Sequence, residues 1–388
     1  MRLFDDVERS ESRPKFEAEP LFAYYNSSAR RCVTALRDLL ESWFSNFPTQ
    51  GRKALCSRFR SPDDLSFQGA FFELYLHELL RSMGYTVEYE TPIEESGAHP
   101  DFLARLGGTP VFYLEATLAA VSQGEQSEAK RAAVVYDTLN EMDSHGFFLL
   151  VEIEGAPATP PKGARLRADL ERWLATLDPD IIEADRERDG FDSLPSREWA
   201  HDGWRLLFSA LPKPAERRDQ RGIRPIGATV GPGKFIDSHS AIRSAVKKKA
   251  GKYGKLETPL VVAVNALDES ASERDVLDAL LGEECVTFSV YPGGQPGDLR
   301  ETRKRDGAWV GPHGPENRRV SAVLIAYHLN AWRLTETPLL IHNPWAYNLL
   351  HPKLWSLPQK VPTFRFDAFN GRDATTMLRL PLPWPPED

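Results

Sequence analysis

The sequence predicts an α/β protein with a mixed central sheet flanked by helices. Two observations carry this prediction. Short apolar runs such as GFFLLVEI (146–153) and PLVVAVNAL (259–267) alternate with stretches of helical periodicity, and between 61 and 155 the expected order is helix, three strands, helix, strand. No internal repeat suggests a solenoid. At 388 residues the chain exceeds the usual size of one core, so one core with large additions is expected. The expected regions are an N-terminal helical region (1–60), a core (61–155), an α/β extension packed on it (156–379) and a Pro-rich tail (380–388). The tail, ending LPLPWPPED, reads as extended and poorly ordered.

Each element has a local cause. From Ser28 to Phe47, Val33, Leu36, Leu40, Trp43 and Phe44 recur at helical spacing, and Pro48 stops the helix. A second helix runs from about Ser66 to Met83 and ends at Gly84. TVEYE (86–90) is a strand; DFLARL (101–106) and VFYLEATLA (111–119) form a hairpin around GGTP. A helix from Glu125 to Met142 and the strand FFLLVEIEG (147–155) complete the expected core. Beyond it come a helix at 166–177, a strand at WRLLFSAL, a basic helix, a strand at LVVAVNA, a helix at 275–281, and strands at SAVLIAYHL and LLIHNP.

Composition narrows the function classes. With 41% hydrophobic and 27% charged residues the chain is of ordinary globular type, and its 30 prolines imply many loops. The apolar runs are too short to span a bilayer, the N-terminus lacks the basic-then-apolar order of a secretory signal, and Cys32, Cys56 and Cys285 show no ligand spacing. A cytoplasmic protein without a membrane partner is expected. A net charge of −8 does not by itself indicate a nucleic-acid binder, so the distribution of charge matters more. Arg243, Lys247, Lys248, Lys249, Lys252 and Lys255 lie in one stretch without an acid, and Arg300, Arg303, Lys304 and Arg305 form a second cluster. Arg243, Lys247, Lys248 and Lys252 are the candidate phosphate contacts, with Ile242, Val246, Ala250 and Tyr253 as the buried stripe of the same helix. Taken alone, either run is more commonly a solvated helix face.

An acidic constellation points to chemistry. Glu73 and His77 share the margin of the apolar stripe formed by Phe72, Leu76, Leu79, Leu80 and Met83. If Arg105 opposite Val111 closes the hairpin, Asp101 lies opposite Glu115 with both side chains on one face. Adjacent carboxylates raise each other's pKa unless a cation compensates, and Mg²⁺ is a natural compensator because it takes oxygen ligands and retains waters.

The pieces GAFFE (69–73), MGYTV (83–87), HPDF (99–102) and YLEAT (113–117) together resemble the PD-(D/E)XK, or restriction-endonuclease-like, nuclease superfamily in order and spacing. The resemblance covers roughly a quarter of the chain, and each piece alone is a weak signal. It implies a restriction-endonuclease-like core and assigns Glu73, Asp101 and Glu115, with the carbonyl of Ala116, to a divalent metal, Mg²⁺ or Mn²⁺. One position departs from it: where the family has lysine, two residues beyond the second strand acid, this chain has Thr117. Lysine would orient water and counter developing negative charge, whereas threonine offers a neutral hydroxyl. Three readings stay open. Thr117 positions water alone; a cation arrives from elsewhere, Lys130 first and His77 second; or catalysis is lost and the fold kept.

Other motifs carry less. GATVGPGKF (227–235) has Ala228 where a phosphate-binding loop needs glycine and Phe235 where it needs Ser or Thr. His342 and Asn343 read as a strand-ending turn, as does His313 in GPHGP, and Ser193, Ser196 and His201 lack a nucleophile-elbow pattern. The resulting expectation is a metal-dependent nuclease that hydrolyses phosphodiester bonds, of DNA first, with defence against foreign DNA as the setting suggested by analogy. A homo-oligomer or a partner protein in a defence complex fits that setting. The alternative is an inactive nuclease-like module that binds nucleic acid or protein within a larger assembly.

Overall fold

A computed structural model describes residues 1–93, 97–120, 122–218, 224–230, 237–254, 256–290, 296–362 and 366–388. Among them the N-terminal helices are α1 (Leu21–Ser27), α2 (Arg31–Asn46), α3 (Arg52–Phe59) and α4 (Asp64–Ser82). Strands β1 (Thr86–Tyr89), β2 (Phe102–Leu106) and β3 (Thr109–Ala119) follow, then α5 (Gln123–Asn140) and β4 (Phe147–Glu154). Next come α6 (Gly163–Leu174), α7 (Pro179–Asp189), β5 (Ser196–His201), β6 (Trp204–Pro212) and β7 (Ile226–Val230). The chain continues through α8 (Ser238–Ala250), β8 (Leu260–Ala266), α9 (Glu273–Leu281), β9 (Glu284–Val290) and β10 (Pro296–Arg303). It ends with the short pair β11 (Val310–Gly311) and β12 (Gly314–Pro315), then β13 (Val320–Tyr327), β14 (Leu339–His342), β15 (Gln359–Pro362), β16 (Phe366–Phe369) and α10 (Ala374–Leu378).

The chain is α/β, and its expected division into regions is corrected. One unit comprises residues 1–13, 20–121 and 236–388, the other 14–19 and 122–235. The first holds the sheet β1-β2-β3-β8-β13-β14-β15-β16; the second holds β5-β6-β4-β7. The segment expected as the core, 61–155, is therefore split, and so is the expected extension 156–379. Strand β4 does not join the core sheet but pairs antiparallel with β6 and parallel with β7. The place beside β3 belongs to β8, in parallel register from Tyr113–Leu260 to Ala119–Ala266.

Burial explains the exchange. The position next to β3 lies between two apolar layers, so its strand must be apolar on both faces. All of β8, LVVAVNA, is buried, whereas the burial of β4 alternates along its first half. Val261 and Ala263 face the layer containing α2, α3 and α4; Leu260, Val262, Val264 and Ala266 face the layer of α8 and α9. The second unit has its own core, centred on Val135, Leu149, Leu170, Trp204 and Phe208.

The hairpin register agrees with expectation where it matters and differs at the turn. Phe102 faces Leu114 and Ala104 faces Phe112, but Arg105 faces Pro110, with an irregularity between Ala104 and Arg105. The slip is absorbed on the turn side, so the register carrying Asp101 beside Glu115 is preserved. The tail is another correction: Leu380 and Trp384 are buried, the Trp384 indole donates to the Ala331 carbonyl at 3.0 Å, and the Asp388 carboxylate accepts from the Cys32 amide at 3.2 Å. Its aromatic residue supplies an apolar anchor that a proline-rich composition conceals.

Leu114 is fully buried between β2 and β8, in the layer facing α4. Leu114→Ala is expected to destabilise the first unit by about 2–5 kcal/mol through lost transfer energy and the remaining cavity. Urea unfolding read by circular dichroism and by the fluorescence of Trp204, which is buried in the second unit, tests this. The first unit's midpoint should fall while the second unit's stays in place.

Candidate active site

Helix α4 starts with Asp63, whose side chain accepts from the Ser66 amide, and its middle is buried on nearly every side from Ala70 to His77. Glu73 is thus not at a solvent margin but 7% exposed. A carboxylate so placed needs a partner, and Arg58 of α3 supplies a two-pronged one: its two terminal nitrogens reach the two Glu73 oxygens at 2.5 Å each. The hydrogen bond to Glu73 is the main cause of an Arg58 pKa above its ordinary value. Gly51, which caps α3, permits this docking, since a Cβ there would stand 2.7 Å from the Tyr89 ring.

His77, one turn on, is 1% exposed and packs beside Phe47 and Phe102, with ring centroids 4.9 and 5.9 Å away. Burial first, and Arg81 second, push its pKa down to about 3. A neutral imidazole cannot supply the missing cation, so His77 is removed from that role.

Asp101 precedes β2, and its carbonyl accepts from the Glu90 amide at 3.0 Å. It and Glu115 clasp each other's strands: the Asp101 amide donates to Glu115 Oε2 at 3.2 Å, and the Ala116 amide donates to Asp101 Oδ2 at 2.6 Å. Burial, then the charges of Glu115 and Glu73, raise the Asp101 pKa to about 7, against Lys249 and the Ala116 amide. The three acids therefore share one electrostatic neighbourhood.

Glu115 is completely buried, on the α8 side of β3, while its neighbours Leu114 and Ala116 face the opposite layer. Three donors meet it. Lys249 of α8 reaches Oε1 at 2.6 Å, Lys252 reaches the same oxygen at 3.0 Å, and the Tyr253 hydroxyl donates to Oε2. Burial opposes ionisation, but the charge of Lys249 and the three hydrogen bonds outweigh it and hold the carboxyl below its ordinary pKa. Thr117 lies two residues further along the same face, half-buried.

The cations at Glu115 thus come from α8 and the turn after it, not from α5. Lys130 is exposed on α5 and belongs to the other unit. Of the four candidate phosphate contacts, Arg243 binds the Asp306 carbonyl and carboxylate and the Ser240 hydroxyl, and Lys247 stands 3.9 Å from Glu316. Lys252 is committed to Glu115, and Lys248 is exposed with no ion pair among the described residues. In the second basic cluster, Arg303 pairs with Asp278 and Glu284 and Lys304 with Glu283. Lys255 and residues 231–235 of GATVGPGKF lie outside the described residues.

Sequence reasoning missed Arg58 and the roles of Lys249 and Tyr253. Helical spacing carried on past Ala250 would put 249, 252 and 253 toward one side, but α8 ends at Ala250 and the turn after it delivers Lys252 and Tyr253. Nothing in that spacing names a carboxylate 134 residues away as their target. No protein-family model, curated protein or solved structure matches the chain.

Asp101 also sets a pH dependence. Its folded pKa, about 7, is above the unfolded value of ~3.9, so between these limits the folded state binds more protons than the unfolded state. Stability should therefore fall as pH rises from about 5 to 7 and level off above. Asp101→Asn should remove this trend and be more stable than wild type at pH 8 by ~1–3 kcal/mol in EDTA. Urea denaturation at pH 5, 6, 7 and 8 measures it; a wild type stabilised by rising pH relative to the variant would show Asp101 to be fully compensated by cations.

Proposed function

We propose that the chain is a metal-dependent nuclease hydrolysing phosphodiester bonds, with DNA as the first substrate to test. The observation that carries this reading is the reciprocal clasp of Asp101 and Glu115 on neighbouring strands, with an ammonium at the same buried carboxylate. Two ionisable acids held side by side make a costly structural feature, and their oxygen donors suit a hard divalent ion. The sequence resemblance to the PD-(D/E)XK superfamily supports it further, through the same residues.

Carboxylate oxygens of Asp101 and Glu115 are the donor type that Mg²⁺ or Mn²⁺ takes, although at Glu115 an ion would have to displace the lysine and tyrosine donors that hold both oxygens. Glu73 is closed in the same way, both its oxygens being held by the two-pronged pair with Arg58. Among the described residues no group of three or more His, Cys, Asp or Glu is gathered closely enough to hold a metal ion. Glu73 is therefore assigned to shaping the field around Asp101, and the direct donors are the two strand acids. When bound, the ion would supply charge neutralisation of the phosphate and activation of water. The chain's own residues would orient that water through Asp101 and balance negative charge through Lys249 and Lys252.

The second reading, a nuclease-like module that binds nucleic acid or protein without cutting, draws on a specific observation. Every oxygen of Glu73 and Glu115 already accepts from a protein donor, and position 117 carries no cation. Defence against foreign DNA, alone, as an oligomer or with a partner protein, is the setting proposed for either reading. No helix among the described residues is long and apolar enough to cross a membrane.

Purified wild type, Asp101→Ala and Glu115→Ala, incubated with circular and linear DNA, single strands and RNA in Mg²⁺, Mn²⁺ or EDTA, separate the two. The nuclease reading expects cleavage by wild type that needs metal and is lost in both variants, each folded by circular dichroism. No cleavage by wild type on any substrate, with nucleic-acid binding retained, would select the binding module.

The surface lysines give an independent measurement. Lys247→Gln/Lys248→Gln is expected to weaken binding to many DNA sequences alike and to lower the magnitude of the slope of log affinity against log salt. The loss per phosphate contact is ~0.9 for duplex DNA. Because Lys247 faces Glu316, the larger part of the loss should come from Lys248. An unchanged slope would make them an ordinary solvated face.

A further inference from the structure

We propose that Ser144 and Lys213 form a second catalytic site, within the second unit, where the serine hydroxyl is the nucleophile and the lysine amine its base in the hydrolysis of small carboxylic esters. This site is separate from the acid pair of the first unit and does not depend on the nuclease reading.

Ser144 lies in the turn between α5 and β4. Its carbonyl accepts from the Phe147 amide at 2.9 Å, and β4 then pairs with β6 from Phe147 opposite Pro212. Lys213 follows Pro212, and its amide donates to the Gly146 carbonyl at 2.8 Å. Backbone pairing thus brings the two side chains together, with Lys213 Nζ 2.8 Å from Ser144 Oγ. That is the contact needed between a base and the proton it removes from a nucleophile. Serine with a lysine base is a working variant of the hydrolytic triad.

The surroundings of the amine favour this role over a structural one. Lys213 is 4% exposed, and among the described residues no carboxylate pairs with it. Its neighbours are the Ser144 hydroxyl and the ring of Phe148, whose centroid lies 5.2 Å from Nζ. Asp143, the acid of the same turn, accepts from the His145 amide at 3.0 Å and is largely exposed. An ammonium buried without a counter-ion is costly, so the neutral amine is favoured. Burial lowers the Lys213 pKa below its ordinary value, against the charge of Asp143.

The turn supplies the remaining parts. His145 and Gly146 are successive left-handed residues, at φ 48° and 87°, and for His145 this is a conformation that the surrounding bonds must sustain. The amides of Ser144 and Gly146 have no acceptor among the described residues, which leaves two N–H donors in the turn for the oxygen of an attacked carbonyl. Pro179 and Arg218 close over the same turn, since a Cβ on Gly146 would stand 3.3 Å from the first and 3.6 Å from the second. With Ser144 only 6% exposed, the opening suits a small acyl group such as acetyl and excludes a long chain.

The reaction balances without a metal ion or a redox partner. Ser144 Oγ bonds to the carbonyl carbon as its proton passes to the neutral Lys213 amine. The C–O bond to the alcohol breaks, and the departing oxygen takes that proton. Water then gives a proton to the same amine and bonds to the acyl carbon, and Ser144 Oγ leaves with the proton returned.

The full chain is treated with p-nitrophenyl acetate or p-nitrophenyl octanoate in EDTA, which keeps any metal chemistry of the first unit out of the readout. Nitrophenolate release is followed with pH, and acid-quenched samples are digested for mass spectrometry. Wild type is compared with Ser144→Ala, Ser144→Cys and Lys213→Arg, each checked by circular dichroism. Wild type is expected to carry acetyl on Ser144, and its release should rise with pH to a half-maximum below the ~10.4 of an ordinary lysine. Acetate should be preferred to octanoate by at least ~10-fold. Ser144→Ala and Lys213→Arg should each lose roughly 10²-fold or more, because arginine keeps the charge but cannot accept a proton. Ser144→Cys should still be acylated at position 144.

The proposal is overturned if wild type carries no acetyl on Ser144 and releases nitrophenolate no faster than Ser144→Ala, or, should Ser144→Ala not fold, if neither wild type nor Ser144→Cys is acylated at 144. Acetyl on Lys213 instead would make the amine the nucleophile and overturn the assigned roles. A folded Lys213→Arg that acetylates Ser144 as fast as wild type would leave the lysine as a prop of the turn, and the site would fall with it.

Discussion

The buried carboxylate of Glu115 is the constraint from which the arrangement of the first unit follows. A charged group with no exposure, in a strand bordered by β2 and β8, is tolerable only with several donors of good geometry. The sheet supplies one from the Asp101 amide, and α8 with its following turn supplies three. Helix α8 is held to the sheet by its apolar face and by this polar clasp together. The same contacts bring the two strand acids and the α8 lysines into one place, so packing and site chemistry have a common origin.

Charge is arranged in two compartments around that centre. Glu73 and Arg58 close on each other through paired short bonds, and they act on Asp101 as a field rather than as a contact. Asp101 is the acid left least compensated, with a pKa near neutrality, while Glu115 is held ionised by its donors. Two carboxyl groups on adjacent strands thus have opposite tendencies because one is given cations and the other is given neighbours of like charge. A divalent ion would meet one acid already ionised and one that must lose its proton, which couples metal binding to pH.

The insertion between β3 and β8 has a topological consequence. The chain leaves the first unit after β3, builds a four-stranded sheet with its own apolar core, and returns to place α8 and β8 directly against β3. Long insertions are tolerated because loop-closure entropy grows slowly with length, provided the two ends of the core recover their contacts. Here they recover the parallel pairing of β3 with β8 and the α8 clasp on Glu115.

The sequence alone determined the local elements and much of the acid pair. The periodicity of α2 and α4, the hairpin of β2 and β3, the strands at β8 and β13, and the register that sets Asp101 by Glu115 were all legible, because each rests on neighbours a few residues apart. The α/β class followed from the same local patterns. Local pattern could not say which apolar strand lies beside β3, since β4 and β8 both read as strands and only burial on two faces separates them. It could not say that Glu73 is buried, because the margin of an apolar stripe becomes interior once α3 docks over it. It named Lys130 and His77 as substitute cations on chain proximity, whereas the amine at Glu115 comes from α8, more than a hundred residues away. Hydrogen bonds and ion pairs between distant segments leave no periodic trace in the sequence; only tertiary packing decided them, because a buried charge takes its partner from whatever element the fold brings within reach.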